Sequence, residues 1–330
     1  MELLYLLEKI RNPVFDFFFS LITHIGEETF FLVIAIVFFW CVNKREGLYI
    51  LMSGLMGTVV NQFLKIICKV PRPWVIDPKF TIVESARAEA TGYSFPSGHT
   101  QNVASTFGSV AAAKRKRWVT VSCIVIIALV GISRMYLGVH TPWDVLASLA
   151  IAAMIIIALH PVFKDEESFK KYFPLLLGIC TALSLCFLVF VNVVGEEGYN
   201  LHNLESARKN AATLFGCMTG LCIGYPIDRR WTDFDTKAKW YSQLIKLFLG
   251  LGVILLIKST LQKPLELLIG LVFPEPTYIA RAVRYAIIVL FAGAVWPLTF
   301  KFFGKLKIGF MEKLTEKMRK RLKKSDTPAD

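Results

Sequence analysis

Nine apolar runs divide this chain, at 28–43, 46–67, 99–113, 118–136, 142–160, 172–194, 209–226, 242–260 and 281–303, with short polar or basic stretches between them. A soluble fold of 330 residues could not hide so much apolar surface, with 55% hydrophobic residues and 26 phenylalanines. The chain therefore reads as all-α, a polytopic integral membrane helical bundle of about nine transmembrane helices. Several runs are shorter than the roughly 20 residues that cross the hydrocarbon core, so their ends must extend into flanking polar sequence. The stretch 265–273, just after Pro264, is too short to cross and reads as re-entrant.

The formal net charge of +13 could point to nucleic acid. However, the cations stand in short clusters between apolar runs: Lys44-Arg45, Lys114 to Arg117, Lys170-Lys171, Arg229-Arg230, and a tail from Arg319 to Lys324. That is the pattern of cytoplasmic loops, and no nucleic-acid partner is expected. With nine spans every basic cluster falls on the cytoplasmic side, together with the C-terminus. Loops 68–98, 137–141 and 195–208 then fall on the opposite, extracytoplasmic side. Residues 1–25 lack the order of a signal peptide. Glu8, Lys9, Arg11 and Asp16 make the segment a poor span, so an N-terminal interfacial helix is expected, with a true first span as the alternative. Cys41, Cys68, Cys123, Cys180, Cys186, Cys217 and Cys222 lie in or beside apolar segments without CxxC spacing, and are read as reduced packing residues.

Three polar clusters interrupt the apolar pattern, all on the extracytoplasmic side of this topology. The first is Lys65-Ile66-Ile67-Cys68-Lys69-Val70-Pro71-Arg72-Pro73. Lys65 alone could be a snorkelling lysine, but Pro71 and Pro73 stiffen the backbone around Arg72, and a fixed guanidinium suits bidentate grip of a phosphate. The second, Pro96-Ser97-Gly98-His99, opens an apolar run. Ser97 is an ordinary N-cap there, yet a glycine-bearing helix start also presents N–H groups to an anion, and His99 could protonate a leaving oxygen.

The third cluster runs from Ser133-Arg134 to His140-Thr141-Pro142-Trp143-Asp144. Thr141, Pro142 and Asp144 read as a helix start with a capping box, which by itself explains Asp144. It does not explain His140, whose Nδ1 proton could be accepted by Asp144 while Nε2 stays free to attack. Arg134, in a largely apolar run, needs an anion or carboxylate beside it. His24 and His202 read as interfacial or loop residues and His160 as a helix-ending cation. No clustered spacing for a metal is seen. The chain divides near Lys164: residues 1–163 carry all three clusters, and 164–330 add further transmembrane helices and a basic cytoplasmic tail.

Taken together, Lys65–six–Arg72–Pro73, the Pro-Ser-Gly-His tetrapeptide and Ser133-Arg134–five–His140–three–Asp144 resemble the type-2 phosphatidic acid phosphatase superfamily, which also includes glucose-6-phosphatase and the vanadium haloperoxidases. The resemblance covers about residues 28–160. It implies a membrane phosphatase without cofactor or metal, with His140 as a nucleophile that forms a phosphohistidine, Asp144 orienting it, and His99 as general acid. Lys65, Arg72, Ser97, Gly98 and Arg134 would hold the phosphoryl oxygens. The hydrophobic spans exclude the soluble haloperoxidases. Trp74-Val75-Ile76-Asp77 looks like the glucose-6-phosphatase branch, whereas Asp144 and Tyr93-Ser94-Phe95 look like lipid, polyprenyl and sphingoid-base phosphate phosphatases.

The expected substrate is thus a lipid phosphate or isoprenoid (di)phosphate drawn from membrane lipids, at the outer face of a bacterial cytoplasmic membrane. Rival readings are a sugar-phosphate phosphatase, a phosphotransferase using the same phosphohistidine, and a non-enzymatic lipid-headgroup binder or transporter. The last has no need of a nucleophile and acid pair. Oligomeric state is left open.

Overall fold

The structure, a computed structural model, describes residues 1–306, 309–312 and 315; the basic cluster expected at Arg319 to Lys324 lies outside the described residues. Among the described residues the fold is all-α, without a strand. Two short helices, α1 (Glu2–Lys9) and α2 (Pro13–Thr23), precede α3 (Glu28–Val37) and the long α4 (Lys44–Cys68). A one-turn α5 (Pro73–Ile76) and a loop lead to α6 (Gly98–Lys114), α7 (Arg117–Tyr136) and α8 (Pro142–Phe163). The second half comprises α9 (Glu166–Val193), α10 (Leu201–Ile227), α11 (Trp240–Thr260), α12 (Gln262–Gly270), α13 (Pro276–Leu290) and α14 (Phe300–Lys305).

Local chemistry sets the boundaries. Asn43, Ser97, Asp165 and Asn200 cap α4, α6, α9 and α10, each accepting a backbone N–H of the first turn through its side chain. Thr141 and Asp144 form the expected reciprocal capping box on α8, with Pro142 at its first turn. The turn between α7 and α8 requires Gly138, at φ +81°, where a Cβ would meet Arg11 Nη2 at 2.8 Å and the Thr81 carbonyl oxygen at 3.1 Å.

All nine apolar runs of the sequence fall on helix. By length and composition, six units can cross a membrane: Lys44–Ile76, Arg117–Tyr136, Pro142–Phe163, Glu166–Val193, Trp240–Thr260 and Pro276–Lys305. A seventh is possible if Pro13–Gly26 and Glu28–Val42, bent by 53°, act as one span. Helix α6, at 17 residues, is too short to qualify, and α10, at 27 residues, is too polar. On α6, Gln101, Ser105, Thr106 and Ser109 are buried. Neither α1 nor α2 is long enough to cross alone, at 8 and 11 residues. Instead the N-terminal segment straps the site-facing loop: Arg11 donates to the carbonyl oxygens of Thr81 and Tyr136, and Tyr5 donates to Asp77 at 2.5 Å. Helix α12 has 9 residues and buries none of them.

The core is built on α4, the most enclosed span, against α6, α8, α9 and α10. Tyr49, Met52, Val59, Phe173, Phe187, Ala211 and Met218 pack there. In the second half α10 lies directly on α13. A Cβ on Gly216 would sit 2.2 Å from the Ala282 carbonyl oxygen, and one on Gly220 2.6 Å from that of Ala286. Small residues four apart let the two backbones approach, the usual means of packing helices where lipid removes the hydrophobic drive.

The basic clusters gather at one end of the bundle. Lys44 pairs with Asp228 at 2.5 Å, Lys114 with Glu46 at 2.5 Å, Arg45 with Glu166 at 3.7 Å, and Arg115 meets His160 at 2.7 Å. The three motif clusters meet at the other end.

Candidate active site

Four segments converge on one buried polar centre: the C-terminal end of α4 with the Arg72 turn, the loop before α6, the α6 N-terminus, and the α7–α8 turn. Lys65, Arg72, Ser97, Arg134, His140 and Asp144 are all buried. The Lys65 ammonium donates to the Tyr93 carbonyl oxygen and reaches that of Ser94 at 3.5 Å. Arg72 spreads its guanidinium over the same loop, donating to the carbonyl oxygens of Gly92 at 3.1 Å, Thr91 at 2.7 Å and Val139 at 2.9 Å. Those bonds hold it rigid, as the flanking prolines led one to expect.

The same guanidinium fixes the state of His140. Arg72 Nη1 lies 3.0 Å from His140 Nε2. A guanidinium can only donate, so Nε2 must present its lone pair and the ring proton must be on Nδ1. Nδ1 faces Asp144 Oδ2 at 3.4 Å. That contact is long because Oδ2 already accepts from Ser94 Oγ at 2.6 Å and from the Thr141 backbone N–H at 2.7 Å. Asp144 therefore serves as helix cap and as histidine partner at once.

The backbone ties the segments together. Ser97 N–H donates to the Asp144 carbonyl oxygen at 3.1 Å, Ser148 Oγ donates to the Ser97 carbonyl oxygen at 2.8 Å, and His140 N–H reaches the Arg134 carbonyl oxygen at 3.3 Å. Arg134, fully buried, donates from Nη1 to Thr23 Oγ1 at 2.6 Å, while its Nε has no partner. Gly98 heads α6 beside His99, whose Nε2 lies 3.5 Å from Glu89 Oε2. Gly26 fits closely under His99: a Cβ there would come within 2.9 Å of both the His99 Cβ and its carbonyl oxygen.

Every residue of the three polar clusters named as a site candidate thus belongs to this end of the bundle. Several partners were not legible in the sequence. Glu89, Thr23 and Gly26 lie in no motif, and Ser94 was read only as part of Tyr93-Ser94-Phe95; each acts through a contact across 10 to more than 100 positions. The fold also gathers His24, Glu27 and Glu89, whose ligand atoms all lie within 4.8 Å of one another, a grouping invisible to sequence spacing. Contact with His99, then the charges of His24 and Arg134, hold the Glu89 carboxyl below its ordinary range.

His140 sits in the turn outside the spans. Burial, then the charges of Arg72, Lys65 and Arg134, push its imidazole well below its ordinary value of 6.5. A depressed value keeps Nε2 unprotonated as pH falls. The acid limb of kcat/KM, which reports the free enzyme, should therefore lie below the usual imidazole range. A pH profile on an aryl phosphate, corrected for ionisation of the substrate itself, checks this. A limb near pH 6.5 would contradict it.

The sequence pattern of the PAP2 superfamily matches residues 46–168, and that of the PAP2 superfamily phosphatase transmembrane extension matches 212–307. Phosphatidylglycerophosphatase B of Bacillus subtilis (strain 168) is 30% identical over 178 residues, which is 49% of this chain and 81% of that protein. The chain belongs to the PAP2 superfamily. Undecaprenyl-diphosphatase BcrC of the same organism is 30% identical over 147 residues, 44% of this chain and 73% of the relative. Human sphingosine-1-phosphate phosphatase 2 is 21% identical over 225 residues, 66% of this chain and 54% of that protein. No solved structure matches. The PAP2 match spans all three polar clusters, and the extension covers most of α10 to α14, so this is an integral membrane phosphatase with added helices.

Proposed function

We propose that this PAP2 protein hydrolyses a lipid phosphate or isoprenoid diphosphate through a phosphohistidine on His140. The observation that carries the reading is the 3.0 Å approach of Arg72 Nη1 to His140 Nε2, which puts a phosphate-gripping donor beside a lone pair. Lys65, Arg72 and Arg134, with Ser97 and the Gly98 N–H at the start of α6, take the three phosphoryl oxygens. Charge spread over those oxygens is what fixed donors stabilise in the transition state. Nε2 attacks phosphorus as the bond to the leaving oxygen breaks, and His99 gives that oxygen its proton. His99, now a base, takes a proton from water as the water oxygen attacks the phosphohistidine, and phosphate leaves with His140 restored. In this reading residues 1–163 make the catalytic unit and 164–330 the added part.

Relatives that act on phosphatidylglycerophosphate, undecaprenyl diphosphate and sphingosine 1-phosphate favour a substrate whose tail stays in the bilayer. The test is phosphate release by the purified protein in detergent, over lipid, prenyl and sugar phosphates. Long-chain substrates are expected to exceed glucose 6-phosphate strongly, with each buried methylene worth up to about 0.8 kcal/mol. Equal efficiency on glucose 6-phosphate would move the protein to the sugar-phosphatase branch.

The face is part of the proposal. The basic end belongs in the cytoplasm by the positive-inside rule, which turns the motif end outward. In a background stripped of native cysteines, an impermeant reagent applied from outside should label Ala88→Cys and spare Arg115→Cys. The reverse pattern would place the reaction in the cytosol.

A further inference from the structure

A second polar chamber lies beside the phosphate site, between α3, α4, α6 and α10. It is a cavity of about 90 Å³, walled by Asn61 and Gln101, by Glu28 of α3, and by Asn210 and Thr213 of α10. Gly98 is also on its wall, and nothing lies within 4 Å of where a Gly98 Cβ would be, so the chamber meets the phosphate cradle at the α6 N-terminus. Asn61 and Gln101 are each 1% exposed. Neither amide atom of Asn61 has a partner, and Gln101, which donates from Nε2 to Ser105, leaves Oε1 without one. Buried amides left unpaired are costly, and three such atoms around one cavity describe a site built for a hydrogen-bonding guest.

The unpaired atoms indicate what kind of guest. The one acid on the wall, Glu28, is exposed, whereas the unpaired amides of Asn61 and Gln101 are buried. Thr213 on the same wall already accepts from Arg281 Nε at 2.8 Å. A hydroxyl finds partners at the amides, because it both donates and accepts, as the free ends of Asn61 and Gln101 require.

We infer that this chamber is a specificity subsite for a hydroxyl group carried on the leaving alcohol a few atoms from the phosphate ester, and that the added helices complete it through α10. The inference rests on the lipid-phosphatase reading above and narrows it, toward glycerol-like alcohols and away from plain alkyl or prenyl ones. A site that must hydrogen-bond a substrate hydroxyl discriminates strongly against the analogue lacking it, since its own polar groups are then left unpaired.

The experiment compares palmitoyl-glycerol phosphate, which has a free hydroxyl beside the phosphate ester, with hexadecyl phosphate, which has none. The full-length protein is assayed in detergent, and the readout is the ratio of kcat/KM for the two. The wild type should favour the hydroxylated substrate by about tenfold or more. Asn61→Leu on α4 and Asn210→Leu on α10 should each bring that ratio toward one. The two variants lie on different helices, so loss of folding in one leaves the other to decide. A wild-type ratio near one, or a ratio unchanged in the folded variants, overturns the subsite and means the chamber holds only water. Failure to release phosphate from either substrate instead removes the lipid-phosphatase reading and the subsite with it.

Discussion

A His140→Ala protein should fold and release essentially no phosphate from any ester, a loss of about 10⁴-fold or more, as expected when a covalent nucleophile is removed. Nε2 is the one nitrogen lone pair aimed at the Arg72 guanidinium, and no other group at this end of the bundle is offered to phosphorus in the proposed route. The fold should survive, because Arg72 keeps the carbonyl oxygens of Thr91, Gly92 and Val139 when the imidazole goes. Asp144 likewise keeps Ser94 and the Thr141 N–H. Two measurements check the prediction. Turnover is the first. The second is rapid quench of wild type with phosphate-labelled substrate, which should leave an acid-labile phosphoryl group on the protein, absent in the variant. A variant that keeps more than about one hundredth of wild-type activity would remove His140 from the nucleophile's role.

His99→Ala should divide substrates by their leaving group. General-acid help is typically worth ~10²–10⁴-fold, and it matters least where the departing oxygen is already a stable anion. Long-chain alkyl phosphates should therefore lose about 10²-fold or more in kcat, while an aryl phosphate stays much nearer wild type. The geometry supports this assignment: Gly26 lets the chain pass close under His99, and Glu89 stands 3.5 Å from Nε2, where it can orient the ring. Equal losses on alkyl and aryl phosphates would refute the division of labour between the two histidines.

How far the site was legible in the sequence depends on how local each signal is. Arg72 between two prolines, Ser97 as a cap, and Thr141-Pro142-Trp143-Asp144 as a capping box are short-range rules, and each stands in the fold as read. Asp144 beside His140 is also local, four residues on, although the competing donors that lengthen that contact to 3.4 Å could not be foreseen. Glu89 is different. It lies ten residues before His99 in a loop that the N-terminal segment straps into place, and no spacing rule selects it. The polar residues of α6 and α10 were equally silent: Gln101 and Asn210 stand inside apolar runs, and only the packing puts them on one chamber wall.

The sequence by itself determined that the chain is a membrane helical bundle, and it singled out eight residues as candidates for the phosphate chemistry. Helix periodicity, capping and the cost of charge in lipid act over a few residues and leave their mark on the string. Only the tertiary structure decided that Arg72 stands against His140 Nε2, that Glu89 stands against His99, and that α10 of the second half walls a polar chamber beside the first half's active site. These depend on where helices far apart in sequence come to rest. That is set by shape, as where Gly216 and Gly220 let α10 lie against α13, and by the pairing of buried polar groups, which no local pattern encodes.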